Sequence, residues 1–256
     1  MAWWSAGNSR DALTTEDELN ALIERNALAA AHLAADRPEH AATLFEETLI
    51  ECQMVLGQSD PGSLTVAGNL AVALVAAQRW EEGIAQLEAA VADRTRLLGA
   101  TDPRTLTAGD ALATACRLAG RTEEALIHSG RISFERHQIL GPAHPDTLTS
   151  RLGMALARAE NGDVESAAAL LQAALNDAEQ AHGPLHVHVI CLRAAAAECH
   201  AQLGNCDQAI TLLERAATDS SRLLGPDHPD TLALYGDLAD LHESTRGDPD
   251  AVPVRV

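Results

Sequence analysis

Apolar residues recur at spacings of three and four along almost the whole chain, in blocks separated by short breaks rich in glycine, proline, asparagine and aspartate. SLTVAGNLAVALVAA, at 63 to 77, spaces its alanine, valine and leucine residues for a helix buried on more than one side. EEGIAQLEAAVADRTRLLG, at 81 to 99, spaces them for an amphipathic helix, with acids in its first turn and arginines in its last, as the helix dipole favours. The break between them, AQRW at 77, recurs as AGRT at 119, ENGD at 160 and LGNC at 203. The pattern predicts a helical hairpin, repeated.

The repeat has a fixed length. LGQSDPGSL at 56, LGATDPRTL at 98, LGPAHPDTL at 140 and LGPDHPDTL at 224 align without gaps. Their glycines are Gly57, Gly99, Gly141 and Gly225, and the missing multiple of 42 is Gly183, inside HGPLHVHVICL at 182 to 192. Leu-Gly ends a helix, with glycine supplying the left-handed cap, and the Asp-Pro or His-Pro step opens the next, where proline is tolerated in a first turn whose amides lack partners. The register predicts repeats at about 16–57, 58–99, 100–141, 142–183 and 184–225, then one further helix at 230–244. Residues 1–15 form an N-terminal arm and 246–256 a flexible tail in this scheme.

This pattern resembles the tetratricopeptide repeat, in the 42-residue form of kinesin light chains and many bacterial repeat proteins. The family's small position in the first helix of each hairpin (helix A) is met by Ala29, Ala71, Ala113, Ala155, Ala197 and Ala239. That of the second (helix B) is met by Ala41, Gly83, Ala125, Ala167 and Ala209. A leucine slot holds Leu28, Leu70, Leu112, Met154, Ala196 and Leu238. Small residues where helices cross let backbones approach, and large ones beside them fill the gaps. The resemblance implies an all-α, right-handed α-solenoid of about five hairpins with a C-terminal capping helix. The chain departs from the family in its scarcity of aromatics. The large residue expected near the start of helix A is Arg25, Ala67, Gly109, Arg151, Arg193 and Tyr235, which predicts loose packing at those joints.

Composition narrows the function. A formal net charge of -19 opposes binding to phosphate backbones, so no nucleic acid partner is expected. All 18 basic residues are arginine, so the lysine of a P-loop, a Schiff base or a pyridoxal phosphate site is absent. Arginine alone, beside abundant alanine, reads as the codon bias of a GC-rich bacterial genome. No window is apolar enough for a membrane span, and MAWWSAGNSR lacks the blocks of a signal peptide, so a cytoplasmic protein is expected. The five cysteines form no CxxC pair, which indicates neither a disulfide framework nor a zinc ribbon. No cofactor motif occurs.

The resemblance implies a concave face lined by helices A that grips a peptide. Its groove positions fall on Asn26, Gly68, Asp110, Leu152, Ala194 and Gly236; on Ala27, Asn69, Ala111, Gly153, Ala195 and Asp237; and on Ala30, Val72, Thr114, Leu156, Glu198 and Asp240. Arg117, Glu160 and Glu243 lie further along the same helices. Arg117 alone could serve a clamp for a C-terminal carboxylate, and Asn69 alone matches the asparagines that hold peptide backbone in kinesin light chains. The remaining groove is apolar and acidic, suited to a basic or amphipathic segment of a protein partner. Self-association through the end repeats is a further expectation. The favoured function is a noncatalytic interaction scaffold. The alternative is a small-molecule or metal-binding protein, catalytic or not, using residues 182–206, where His182 and His188 depart from the repeat and His188 shares a helix face with Cys191. Loss of leucine at His182 and of proline at Val187 predicts a looser turn there. Trp3 and Trp4 are expected to cover the apolar end of the first repeat.

Overall fold

The computed structural model describes residues 16–247, which form eleven α-helices and no strand. Trp3, Trp4 and most of the predicted tail lie outside the described residues. The chain divides into two compact units, residues 1–120 and 121–256. Unit 1 holds α1 (Glu16–Ala34), α2 (Pro38–Val55), α3 (Pro61–Ala76), α4 (Trp80–Leu98) and α5 (Pro103–Leu118). Unit 2 holds α6 (Thr122–Leu140), α7 (Pro145–Glu160), α8 (Val164–His182), α9 (Val187–Gln202), α10 (Cys206–Leu223) and α11 (Pro229–Gly247). In both units each helix packs on the next, and α1 with α3, α3 with α5 and α7 with α9 also touch, the contact pattern of stacked hairpins.

The turns follow from two left-handed positions per repeat. One is the run of glycines from Gly57 to Gly225; the other is Asp36, Gln78, Gly120, Gly162 and Gly204. At the second, the chain reverses by returning an amide to the helix just ended, as Arg79 N–H does to Leu74 O at 2.9 Å and Asn205 N–H to His200 O at 2.8 Å. Gln78, at φ 59°, adopts there a conformation that costs a side chain more than it costs glycine. The residue before the first proline of α3, α5 and α7 caps the helix that follows. Asp60 and Asp102 accept the amides of Gly62 and Arg104 at 2.7 and 2.9 Å, and His144 Nδ1 accepts that of Asp146 at 3.2 Å. The joint at 183 has Val187 in place of the helix-opening proline but closes in the same way. Gly183 N–H donates to Glu179 O at 3.0 Å, and His186 Nδ1 accepts the amide of His188 at 3.3 Å.

The small positions sit where helices cross. Ala29, Ala71, Ala113, Ala155 and Ala197 are buried, as are Ala41, Gly83, Ala125, Ala167 and Ala209. A Cβ on Gly83 would lie 2.8 Å from Val75 Cγ2 and 3.4 Å from Ala71 O, which is why this crossing has glycine. The repeat's ends break the pattern. Ala239 is exposed on α11, and Leu28 is 51% exposed on α1, because no described hairpin covers either face. Phe45, Leu22, Leu70 and Leu74 anchor the core of unit 1. Leu148, Leu171, Val189 and Leu192 anchor one core of unit 2, and Ile190, Leu213, Leu234 and Leu241 a second.

The joints expected to be loose are filled by arginine. Arg25 pairs with Glu51, Arg151 with Asp177 and Arg193 with Asp219, each pair closing a hairpin across 26 residues. Arg193 is buried and also binds Glu179 at 2.7 Å. Where the slot is small, the arginine comes from helix B. Arg94 donates to Leu64 O at 3.0 Å, and its guanidinium fills the space before Gly68. Arg136, its counterpart one repeat on, is buried and donates to Asp146 O at 2.9 Å and to Ser150 Oγ at 2.7 Å. A guanidinium supplies both the bulk of an aromatic ring and donors for carbonyl and carboxylate oxygens.

Candidate functional site

Within unit 2, equivalent positions on α7, α9 and α11 fall on one surface, a cleft of about 550 Å³ between α7, α9, α10 and α11. Its apolar wall comes from Leu152 and Leu156 on α7, Ala194, Ala195 and Ala201 on α9, Leu213 on α10 and Leu241 on α11. Glu198, Asp237 and Asp240 line it as well, with Gln202 and Cys191, and none of the lining residues is basic. The register explains the convergence. Leu152 and Ala194 occupy one groove row, Ala195 and Asp237 the next, and Leu156, Glu198 and Asp240 the third. Glu198 and Asp240 are exposed and Asp237 half-buried, so a ligand entering the cleft meets carboxylates before it meets leucine.

The other predicted groove residues lie elsewhere. Asn26 and Asn69 belong to unit 1, where Asn69 Nδ2 donates to Asn26 Oδ1 at 3.1 Å, so the two amides satisfy each other. Asp110, Thr114 and Arg117 lie on α5, also in unit 1, with Thr114 Oγ1 donating to Asp110 O at 3.0 Å. Glu160 closes α7 at its exposed end and does not line the cleft. Cys191, Gln202, Leu213 and Leu241 were not predicted as groove residues. Cys191 is the informative one. It is exposed in the cleft, while Cys52, Cys116 and Cys199 are buried, and its partly desolvated thiol is held above the ordinary value by burial, then by the charge of Asp230. Burial pushes Cys199 up to about 11, so it packs as an inert apolar residue.

The histidines at 182 to 188 are joint residues. His182 Nε2 donates to Ala143 O at 2.6 Å, and the rings of His182 and His186 stack at 4.5 Å. Among the described residues no group of three or more His, Cys, Asp or Glu side chains is arranged to hold a metal ion. No described helix is long and apolar enough to cross a membrane.

Fold and cleft define a helical-repeat protein built to present a binding surface. A tetratricopeptide repeat family model matches residues 62–132, 146–218 and 188–252, and a second tetratricopeptide repeat model matches 25–62. The chain belongs to the tetratricopeptide repeat family. Solved structures agree on the fold. A kinesin light chain-like protein of nearly identical repeats from Podosopora anserina aligns with TM-score 0.68 at 23% identity, over 79% of this chain and 96% of that one. A single-substitution variant of it aligns with TM-score 0.70 at 23% identity, over 79% and 95%. BtubC (BKLC) from P. vanneervenii aligns with TM-score 0.67 at 16% identity, over 83% and 85%. No curated protein matches the chain.

Proposed function

We propose that the protein is a noncatalytic interaction scaffold whose unit 2 cleft takes a basic, amphipathic segment of a protein partner. The observation that carries this reading is the cleft's composition: a wall of leucine and alanine edged by Glu198, Asp237 and Asp240, with no basic residue among its lining. An apolar wall supplies affinity through area removed from water, and the carboxylates select cations and steer their approach. A cleft of about 550 Å³ accommodates a few side chains, which suits one or two turns of helix or a short extended stretch. Hairpin stacking supports the same reading, because it yields extended surfaces rather than enclosed polar pockets.

The test is fluorescence anisotropy with a labelled amphipathic helix of leucine and arginine and its leucine and glutamate counterpart. The arginine peptide binds, the glutamate peptide does not, and affinity falls with salt. Asp240→Arg with Glu198→Arg abolishes binding while the reversals Asp93→Arg and Glu88→Arg in unit 1 leave it intact. Binding insensitive to both salt and the cleft reversals rejects the proposal.

A further inference from the structure

Three imidazoles stack at the joint between α8 and α9. The rings of His182 and His186 are 4.5 Å apart, those of His186 and His188 5.3 Å, at interplanar angles of 21° and 20°. Their hydrogen bonds place protons on particular ring nitrogens. His182 Nε2 lies 2.6 Å from Ala143 O, an acceptor only, so it carries the proton. His186 Nδ1 accepts the amide of His188 and is therefore bare. Thr149 Oγ1 spends its hydrogen on Pro145 O at 3.1 Å, so it accepts at 3.0 Å from a protonated Nε2 of His188. That leaves His188 Nδ1 bare, buried and without a partner. The joint as built holds His186 and His188 neutral.

Added protons on His186 or His188 have nowhere favourable to go. On His188 Nδ1 a proton is buried facing no acceptor. On His186 Nδ1 it removes the cap of α9 and puts positive charge at a helix N-terminus. Two charged rings would also repel each other across the stack. Of the acids around the joint, Asp146 on α7 favours a proton on His188 but also lies 4.0 Å from His144. Glu179 on α8 and Asp219 on α10 are held by Arg193, and Asp177 on α8 by Arg151.

The repeat supplies its own controls. His144 and His228 cap α7 and α11 through Nδ1, accepting the amides of Asp146 and Asp230 at 3.2 Å. There the residue two places on is an aspartate, with Oδ2 at 4.0 and 3.7 Å, ready to accept from a charged ring. At α9 that residue is His188.

We propose that the joint between α8 and α9 is a pH-responsive hinge, closed while His186 and His188 are neutral and released when acidification charges them. Burial holds His186 and His188 below the ordinary histidine range. The open joint therefore takes up protons first as pH falls through about 6.5, and closure weakens from there down towards the lower values of the closed state. Because α9 contributes Cys191, Ala194, Ala195 and Glu198 to the cleft, the hinge acts on the face described above, although it exists whether or not that face binds a peptide.

The experiment is hydrogen exchange of the full chain at pH 7.5 and 5.5, corrected for the intrinsic rate, with imidazole resonances followed in parallel. Protection of the Val189 and Ile190 amides is expected to fall roughly tenfold for each imidazole held neutral, while the first turns of α7 and α11 change much less. His188→Asp, which recreates the aspartate of the other joints, removes the acid-dependent loss. Equal acid loss in all three first turns, or its persistence in His188→Asp, overturns the proposal. The comparison within the wild-type chain decides the matter even where the variant fails to fold.

Discussion

Arg193 stands in a slot where an aromatic residue was expected, and its side chain is only 5% exposed. Asp219, its partner, is 12% exposed, whereas Glu179, which also holds it, is 39% exposed. Asp219→Ala therefore leaves a buried guanidinium with one half-solvated partner. Stranding a buried charge costs about 3–5 kcal/mol, and retention of Glu179 brings the expected loss to about 2–3 kcal/mol. In a chain of this length that is a fall of about 5–10 °C in melting temperature. Asp93→Ala, which removes an exposed partner of Arg96, should cost about 0.5 kcal/mol or less. Combining Asp219→Ala with Arg193→Met removes the stranded charge and should recover most of the loss, since well-packed apolar residues replace buried ion pairs at little cost. Scanning calorimetry of the full-length variants measures all three, read by the transition that moves because repeat arrays can melt in steps. A shift for Asp219→Ala no larger than for Asp93→Ala would refute the claim that buried ion pairs replace aromatic packing.

Two further outcomes follow from the packing. Thr147 is fully buried with no partner for its hydroxyl, and the equivalent residue one repeat on is the fully buried Val189; Thr147→Val should stabilise by about 1 kcal/mol, and a lower melting temperature would contradict this. Gly83→Ala should destabilise by about 1–2 kcal/mol through its clash with the stiff Val75, and by less in a Val75→Ala background, where only the backbone contacts with Val75 N at 3.3 Å and Ala71 O at 3.4 Å remain; a stabilised single variant would show the crossing is not tight.

Helices and turns were legible because each depends on local chemistry: glycine in a left-handed position, proline in a first turn, and apolar residues at helical spacing. The arginine pairs were not, since their partners lie 26 residues apart and form no short motif. Their trace is visible only when hairpins are laid in register. Arg25 stands with Cys52, Ala67 with Arg94, Gly109 with Arg136, Arg151 with Ala178 and Arg193 with Ser220, one arginine per hairpin at either of two positions. The expectation of loose packing arose from counting aromatics and overlooking guanidinium bulk. The groove rows placed Glu198, Asp237 and Asp240 together because register maps directly onto one surface. They did not anticipate that Asn26 and Asn69 would satisfy each other, a matter of side-chain conformation that spacing does not encode. Lost leucine and proline at 182 and 187 pointed to a looser turn, whereas the cap that closes it depends on which ring nitrogen of His186 faces the next amide.

Cys191 offers the most direct test of the central claim, because it is exposed in the cleft and Cys206 is half-buried outside it. The rate of alkylation of each thiol, followed by mass spectrometry of the intact and digested chain at mildly alkaline pH, reports occupancy of the cleft. With the arginine-bearing amphipathic peptide at saturation, Cys191 should react at least tenfold more slowly while Cys206 is unchanged. An unaltered rate at Cys191 under saturating peptide would contradict the assignment of the cleft as the binding site.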